Sequence, residues 1–358
     1  MISVIIVNYH SARLTERAVS SIISQDIEAE IFVVDNTATS VEQQELKSLM
    51  PNSIHLIFNE TNEGFARACN RAYTSSSGQY ILLLNPDTYF FPGSLRRLKE
   101  FLDKNPSTGA VGPRVFWDMS KNFLLPPSLF PSALSQLCQQ TVRGYKTLGR
   151  IYSLFHRKSS VLAWKASTPV KQPALSGGHV MLRRSAIDQC GGLFDNNYFV
   201  YYEDSDLMLR LRRGGYQLFI EPDAEVVHSY IHDKVKTALM THASEYYFSK
   251  NYGQSVLLRI AGKMSEMRTN VSPAFKMHAG KFASPLKIMI PHKYQDHWLF
   301  EWSPSPDVLP SVGCFGTGPE FHFPAELWDL LEAGTYYTRI SSQRAVVFSA
   351  VYLSWEKV

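Results

Sequence analysis

A doubly wound α/β domain followed by a smaller β-rich domain is the fold class this sequence predicts. Short apolar runs of strand length recur through residue 115, and the residues between them keep helical apolar spacing. Past residue 255 the composition shifts to proline, aromatics and β-branched residues.

The apolar runs are Ile2–Val7, Ile31–Val34, Ile54–Phe58, Tyr80–Leu84 and Ala110–Val115. Buried parallel strands read as continuous apolar runs because helices cover both faces, so these runs form the sheet of a Rossmann-like domain. Ligands of such sheets bind beyond the carboxyl ends of the strands. Those ends carry Asn8, Asp35, Asn36, Asn59 and Asn85-Pro86-Asp87, which gathers polar groups on one edge. Asx residues also end strands and cap helices through local hydrogen bonds, a reading that covers Asn59 and Asn36 well.

Residues 117–173 break the rhythm with Pro126-Pro127, Pro131 and the basic cluster His156-Arg157-Lys158. Within this excursion Leu134, Leu137, Val142, Leu148, Ile151 and Leu154 interleave with Arg143, Lys146 and Arg150. That spacing fits either a basic amphipathic helix on a membrane surface or a lid helix packed on the domain. The pattern resumes with a strand at Ser176–Leu182, a helix at Glu203–Arg213 and strands at Tyr216–Ile220 and Ala224–Val227. A catalytic domain of residues 1–255 follows, then a linker at 256–274 and a β-rich accessory domain at 275–358. In that last domain residues 334–340 and 345–355 alternate like the strands of a hairpin.

The chain has 358 residues, 45% of them hydrophobic, enough for one large domain and an appendage. A net charge of +4, from 36 Lys and Arg against 32 Asp and Glu, gives no electrostatic case for nucleic-acid binding. Cys69, Cys138, Cys190 and Cys314 are widely spaced with no CxxC pair and read as reduced thiols, which points to the cytoplasm. No apolar stretch approaches the ~20 residues of a spanning helix, so the expectation is a soluble or membrane-peripheral chain.

Asp87 follows a buried strand immediately and is aimed at the ligand crevice. A divalent ion bridging a diphosphate needs few protein ligands, because phosphate oxygens and water fill its other positions. His228, at the end of the apolar strand containing Val226-Val227, is the candidate second donor, although a lone histidine is more often a packing residue. The densest acidic cluster, Glu203-Asp204-Ser205-Asp206, opens a helix after Phe199, Tyr201 and Tyr202. Helix capping accounts for one of these acids. Asp204 is the candidate general base, in a partly desolvated setting suited to deprotonating a hydroxyl. Glu203 serves the acceptor or the helix start. Gly177-Gly178 and Gly191-Gly192 permit close backbone approach, Gly177 and Gly178 on the acceptor side. Neither GxxxxGK[ST] nor GxGxxG occurs, which weakens the NTPase and dinucleotide readings.

Taken together, Val4-Ile5-Ile6-Val7-Asn8-Tyr9, Val33-Val34-Asp35-Asn36, Asn62-Glu63-Gly64-Phe65-Ala66, Leu84-Asn85-Pro86-Asp87 and Tyr202-Glu203-Asp204 resemble the family-2 glycosyltransferases, in their rhamnosyltransferase-like branch. The resemblance covers residues 1–255 and implies the GT-A fold. It implies that Asp35 bonds the donor's pyrimidine base in a pocket lined by Asn8 and Asn36, with Gly64, Phe65, Asn70 and Asn85 on the donor side. It implies further that Asp87 and His228 bind the metal, Mg or Mn, and that Asp204 is the catalytic base of an inverting displacement. Asn85 stands where the family's DxD motif has its first acid, which leaves the choice of metal open.

The implied activity is transfer of a sugar, rhamnose from dTDP-rhamnose favoured, to a carbohydrate or polyprenyl-linked acceptor in surface polysaccharide synthesis. A polyprenyl-linked acceptor would place the chain peripherally at the inner membrane face. A non-catalytic nucleotide-sugar or glycan-binding relative is the alternative. A nucleotidyltransferase would want a glycine- and lysine-rich phosphate loop, and a glycosidase would need neither Asp35 nor a metal.

Overall fold

The computed structural model describes residues 1–144, 146–229, 236–266, 277–343 and 350–358. Its central strand is β1 (Ile2–Asn8), buried along its whole length. β1 pairs in parallel with β2 (Ala29–Asp35) on one side and β4 (Tyr80–Leu84) on the other, and β3 (His55–Phe58) continues beyond β2. Alternation of side chains sorts the strand residues onto two faces. Ile5, Val7, Ile81 and Leu83 pack with Ala66, Cys69 and Ala72 of α3 (Phe65–Ser75). Ile2, Val4 and Ile6 pack on the other face. Their partners come from α1 (Ala12–Ile23), Leu46 of α2 (Ser40–Leu49) and Leu95, Leu98 and Leu102 of α4 (Ser94–Lys104).

Past β4 the sheet is mixed rather than parallel. The neighbour of β4 is not the next long strand, β6 (Thr108–Phe116), but β9 (His179–Arg183), antiparallel to both. β9 starts at His179 because Ser176, Gly177 and Gly178 form the approach to the strand, outside the ladder. The strands expected at 216–220 and 224–227 are one strand, β10 (Gln217–His228), with an irregularity between Glu221 and Glu225. β10 runs parallel to β6 and antiparallel to the short β5 (Thr88–Phe90). The helix expected over Glu203–Arg213 is present as α8, preceded by the short α7 (Arg184–Gln189).

The excursion holds β7 (Phe123–Leu124), α5 (Ala133–Gly144), α6 (Lys146–Trp164) and β8 (Val170–Lys171), which pairs with β10. Arg157 is not a free surface cation. It is buried with Arg339 against Glu301, its Nε 2.7 Å from Glu301 Oε2, while Arg339 Nε donates to the same oxygen at 2.8 Å. Leu134 is exposed and Leu137 partly buried. The side chains of Val142, Arg143, Lys146, Leu148, Arg150, Ile151 and Leu154 lie outside the described residues.

The next helix, α9 (Lys236–Tyr252), is followed by α10 (Val256–Glu266) in the stretch expected as linker. α10 packs on α5 and buries Ala261, because apolar residues at helical spacing find a partner there. Residues 267–274 lie outside the described residues.

The C-terminal region is β-rich and continues the same sheet. Its strands are β11 (His278–Phe282), β12 (Lys287–Met289), β13 (Trp298–Ser303), β14 (Val312–Gly316), β15 (Glu320–His322), β16 (Gly334–Ser342) and β17 (Val351–Lys357). β14 pairs with β7, which pairs with β6. β12 and β15 form a separate pair, and α11 (Ala325–Asp329) lies between β15 and β16. β16 and β17 are antiparallel from Gly334 opposite Lys357 to Ile340 opposite Val351, as the alternation predicts, while 344–349 lie outside the described residues. The aromatics are core: Trp117 and Phe123 of the first domain pack with Trp302, Phe321, Phe323 and Trp355.

Candidate active site

Strand ends build the site. At the end of β1, buried Asn8 donates from Nδ2 to Asp35 Oδ1 at 3.0 Å and to Glu42 Oε1 at 2.9 Å. Its own Oδ1 accepts from Ser11 and Thr15 hydroxyls. Asp35 Oδ1 also accepts the Thr37 N–H at 3.1 Å, while Asp35 Oδ2 is buried with no hydrogen-bond partner among the described residues. A buried carboxylate oxygen without a partner is costly, which leaves Oδ2 as an available acceptor. Glu42, unremarked in the sequence, accepts the N–H groups of Ser11 and Ala12 at the start of α1. Only the fold brings it to Asn8, from 34 residues away.

Asn36 Nδ2 donates to Asn62 Oδ1 at 2.7 Å, and its Oδ1 accepts from Asn59 and the Glu63 N–H. This holds the 62–65 loop against the end of β2. Gly64 follows at φ +84°, and a Cβ there would lie 2.4 Å from the Phe199 carbonyl oxygen. The next residue, Phe65, donates its N–H to that carbonyl. Asn70 stands apart from this group. Both its amide ends are engaged with Phe194 and Asn196, and it ties α3 to the 194–196 loop.

Asn85, Asp87 and His228 come together. His228 pairs with Thr88 across β10 and β5, which sets its imidazole Nε2 3.3 Å from Asp87 Oδ1. Asn85 N–H donates to the Gly178 carbonyl at 2.8 Å, and a Cβ on Gly178 would lie 2.6 Å from Asn85 Nδ2. Gly177 donates its N–H to Asp204 Oδ2 at 3.0 Å, and a Cβ there would sit 3.0 Å from Asp204 Cβ. His179, the next residue, packs edge-on against His228 with ring centroids 5.6 Å apart. Three consecutive residues thus touch the acid at 204, the amide at 85 and the histidine at 228.

Tyr201 and Tyr202 both adopt left-handed backbone, φ 73° and 65°, directly before α8. Two adjacent strained non-glycine residues at a helix entry are a feature of functional turns. Glu203 turns inward and is 6% exposed, with Oε2 unpartnered, so the fold does not present it to an acceptor. Burial, with the neighbouring Asp204 charge, pushes its carboxyl up to about 8. Asp204 faces Gly177 instead. Burial raises its pKa, opposed by the Gly177 and Ser205 N–H groups and the Ser205 hydroxyl. Asp206 caps nothing external: Arg210 at 2.9 Å, Lys250 at 2.9 Å and Asn251 at 3.0 Å hold it and lock α8 to α9.

The family model for "Glycosyl transferase family 2" matches residues 3–190, which contain β1 through α7 and the Asn85-to-Asp87 turn. The chain belongs to glycosyl transferase family 2. This glycosyltransferase is 28% identical over 270 residues to the N-acetylglucosaminyl-diphospho-decaprenol L-rhamnosyltransferase of Mycobacterium tuberculosis, covering 69% of this chain and 83% of that one. It is 23% identical over 202 residues to the dTDP-rhamnosyl transferase RfbF of Shigella flexneri, covering 56% of this chain and 59% of that one. Among solved structures, GalNAc-T7 with UDP, GalNAc and Mn2+ aligns at TM-score 0.48 and 17% identity, covering 74% of this chain and 54% of that one. The mixed α/β sheet of the matched region is that of a GT-A fold, and the β-rich C-terminal region continues beyond it. No helix among the described residues is long and apolar enough to cross a membrane.

Proposed function

We propose that this glycosyltransferase moves rhamnose from dTDP-rhamnose to a hydroxyl of a polyprenyl-diphosphate-linked or carbohydrate acceptor, in one displacement with inversion. The observation that carries the reading is the Gly177-Gly178-His179 run. The Gly177 N–H holds the carboxylate of Asp204, and the neighbouring Gly178 carbonyl accepts the Asn85 N–H that opens the turn to Asp87. The rhamnosyl character rests on the relatives' names.

Each residue then has a physical task. Asp35 Oδ2 receives the N–H of the donor's pyrimidine ring, held in place because Asn8 and Thr37 occupy Oδ1. Asn36 holds the 62–65 loop that lines the same pocket. Asp204 takes the proton of the acceptor hydroxyl as its oxygen attacks the anomeric carbon, so the C–O bond to the nucleoside diphosphate breaks on the opposite face. No covalent sugar intermediate is required.

Asp87 and His228 fit a divalent cation, since a carboxylate and an imidazole converge at 3.3 Å beside the turn. An ion held there would take its remaining ligands from diphosphate oxygens and water. When bound, that ion supplies charge neutralisation at the departing diphosphate.

A lipid-linked acceptor places the chain peripherally on the cytoplasmic membrane face. α10 supports this: Val256, Leu257 and Ile260 are 57%, 37% and 43% exposed, beside exposed Arg259 and Lys263. Aliphatics flanked by cations suit an anionic lipid surface.

Calorimetry with dTDP- and UDP-sugars, with and without Mn2+ or Mg2+, on wild type and Asp87→Ala tests donor and metal. Turnover of the bound donor with the anomeric configuration read by NMR tests the rest. Binding without transfer to any acceptor would favour a non-catalytic relative, and retention at the anomeric carbon would overturn the displacement.

A further inference from the structure

We infer that the open cavity between the 197–200 loop and α9 receives the first isoprene units of a polyprenyl-linked acceptor. This rests on the reading of the acceptor as lipid-linked and deepens it.

The lining of the cavity suits an apolar occupant. It has a volume of about 180 Å³, and Phe199, Val200, Leu239 and Ala243 give it carbon walls. Asn197 and Tyr246 also line it, but their polar ends are spent on Asp195 and on each other. Asn197 Nδ2 donates to the Tyr246 hydroxyl at 3.1 Å and to Asp195 Oδ1 at 2.9 Å, while that hydroxyl donates to Asp195 Oδ2 at 2.9 Å. Lys250 holds the same Asp195 oxygen at 2.7 Å. A sugar lodged here would bury hydroxyls against groups already engaged, whereas a hydrocarbon chain asks for no partner.

The walls are also held open to solvent. Phe199 is 45% exposed, yet its backbone is fixed, because its carbonyl accepts the Phe65 N–H and the preceding Tyr198 is buried. Leu239 and Met240 on the facing helix are exposed as well. An aromatic and two aliphatics kept at one opening mark a surface with an apolar ligand.

Position ties the cavity to the chemistry. Val200 lies four residues ahead of Asp204, so even a fully extended backbone separates them by no more than roughly 14 Å. The chain between them includes the left-handed Tyr201 and Tyr202, and the Tyr202 ring packs on Tyr247 of α9 at 5.3 Å. The base helix and the cavity's far wall therefore share a joint. In a polyprenyl-linked acceptor a diphosphate separates the reacting sugar from the chain. With the sugar hydroxyl at Asp204, the chain begins near Val200, and exposed His242, which also lines the cavity, offers a donor to the diphosphate.

The test is calorimetry with farnesyl diphosphate and with inorganic pyrophosphate, on the full chain with dTDP saturating the donor site. Wild type is expected to bind farnesyl diphosphate roughly tenfold to a hundredfold more tightly than pyrophosphate, the scale of burying one aliphatic side chain of similar size. Ala238→Phe, at an exposed lining position, fills the cavity, and Leu239→Asp places a charge in it. Both should reduce farnesyl diphosphate to the level of pyrophosphate, with dTDP affinity and melting temperature showing that the fold is intact. Equal binding of the two probes by wild type, or wild-type farnesyl diphosphate affinity in both variants, overturns the proposal. Sugar transfer onto lipid-free glycans alone, by a chain whose variants still lose farnesyl diphosphate, would instead sink the lipid-linked acceptor and leave the cavity as a prenyl site of another kind.

Discussion

The backbone N–H of Phe65 donates to the carbonyl of Phe199 across 2.6 Å, joining the loop at the end of β3 to the turn that leads into Asp204. Gly64 makes room for this contact, since a Cβ there would overlap the same carbonyl at 2.4 Å. Its φ of +84° is also one that only glycine adopts freely. Gly64→Ala is therefore expected to cost about 1–3 kcal/mol of stability through strain. It should also lower kcat along with nucleotide affinity, because loop and turn move as one. Urea unfolding and dTDP calorimetry on the same sample would show it; a variant with wild-type affinity and kcat would separate the two loops.

Replacing Asp204 with Asn keeps its size but removes the proton acceptor. Turnover should drop about 10²–10⁴-fold, the usual contribution of a general base. Donor affinity should stay at the wild-type level, since Asp204 bonds Gly177 and Ser205 and shares no hydrogen-bond partner with Asp35. Initial rates and calorimetry together decide this, and a loss of donor binding equal to the loss of rate would assign Asp204 to the donor.

The base must be ionised to act, and burial raises the Asp204 pKa above the ordinary aspartate value of 3.8. Activity is therefore lost as pH falls, with the acid limb of kcat/KM displaced upward. The Ser205 hydroxyl, 3.2 Å from Oδ1, favours the ionised form. Ser205→Ala should move that limb to still higher pH without changing the plateau. An unmoved limb would place the titrating group elsewhere.

Glu203 holds its proton up to about pH 8 in the folded chain against an ordinary value of 4.5. The folded state then binds more protons than the unfolded one between those values, so stability falls as pH rises through that window. Glu203→Gln should flatten the decline, leaving the variant ~2–4 °C more stable than wild type near the upper end of the window. Thermal unfolding across that range is the measurement, and parallel curves would contradict it.

Arg157 and Arg339 share the buried carboxylate of Glu301, joining α6 to β13 and β16. Removing Arg157 leaves Glu301 still paired with Arg339 but strips buried hydrogen bonds from Glu301 and Ser341, a loss of about 1–3 kcal/mol. Arg157→Ala should lower the unfolding free energy in urea by that amount, seen as a lower midpoint at unchanged slope. A midpoint matching wild type would show that α6 is held by its apolar contacts alone.

Much of the first domain was legible in the sequence. Strand runs such as Ile2–Val7 and Tyr80–Leu84 needed only unbroken apolar character, and Glu203–Arg213 announced itself through acids at its start and glycine at its end. The candidate residues Asn8, Asp35, Asp87, Asp204 and His228 could be singled out because each ends or opens a recognisable element. Glu42 could not, nor could the tie from the Phe199 carbonyl to Phe65, since each acts through contacts dozens of residues away. Arg157 stood in the sequence only as part of a basic cluster, because charge patterning alone cannot show that Glu301 lies buried beside it.

The sequence by itself determined the long strands and helices of the first 230 residues, and which polar groups sit at their ends. Those follow from side-chain periodicity and local backbone preference, which are properties of neighbours in the chain. Only the tertiary structure decided that β9 inserts antiparallel between β4 and β6, and that the C-terminal strands extend the same sheet through β7. It alone decided that Gly177, Gly178 and His179 bring Asp204, Asn85 and His228 to one place. Strand order is set by burial and pairing between distant segments, and no local pattern in the chain encodes it.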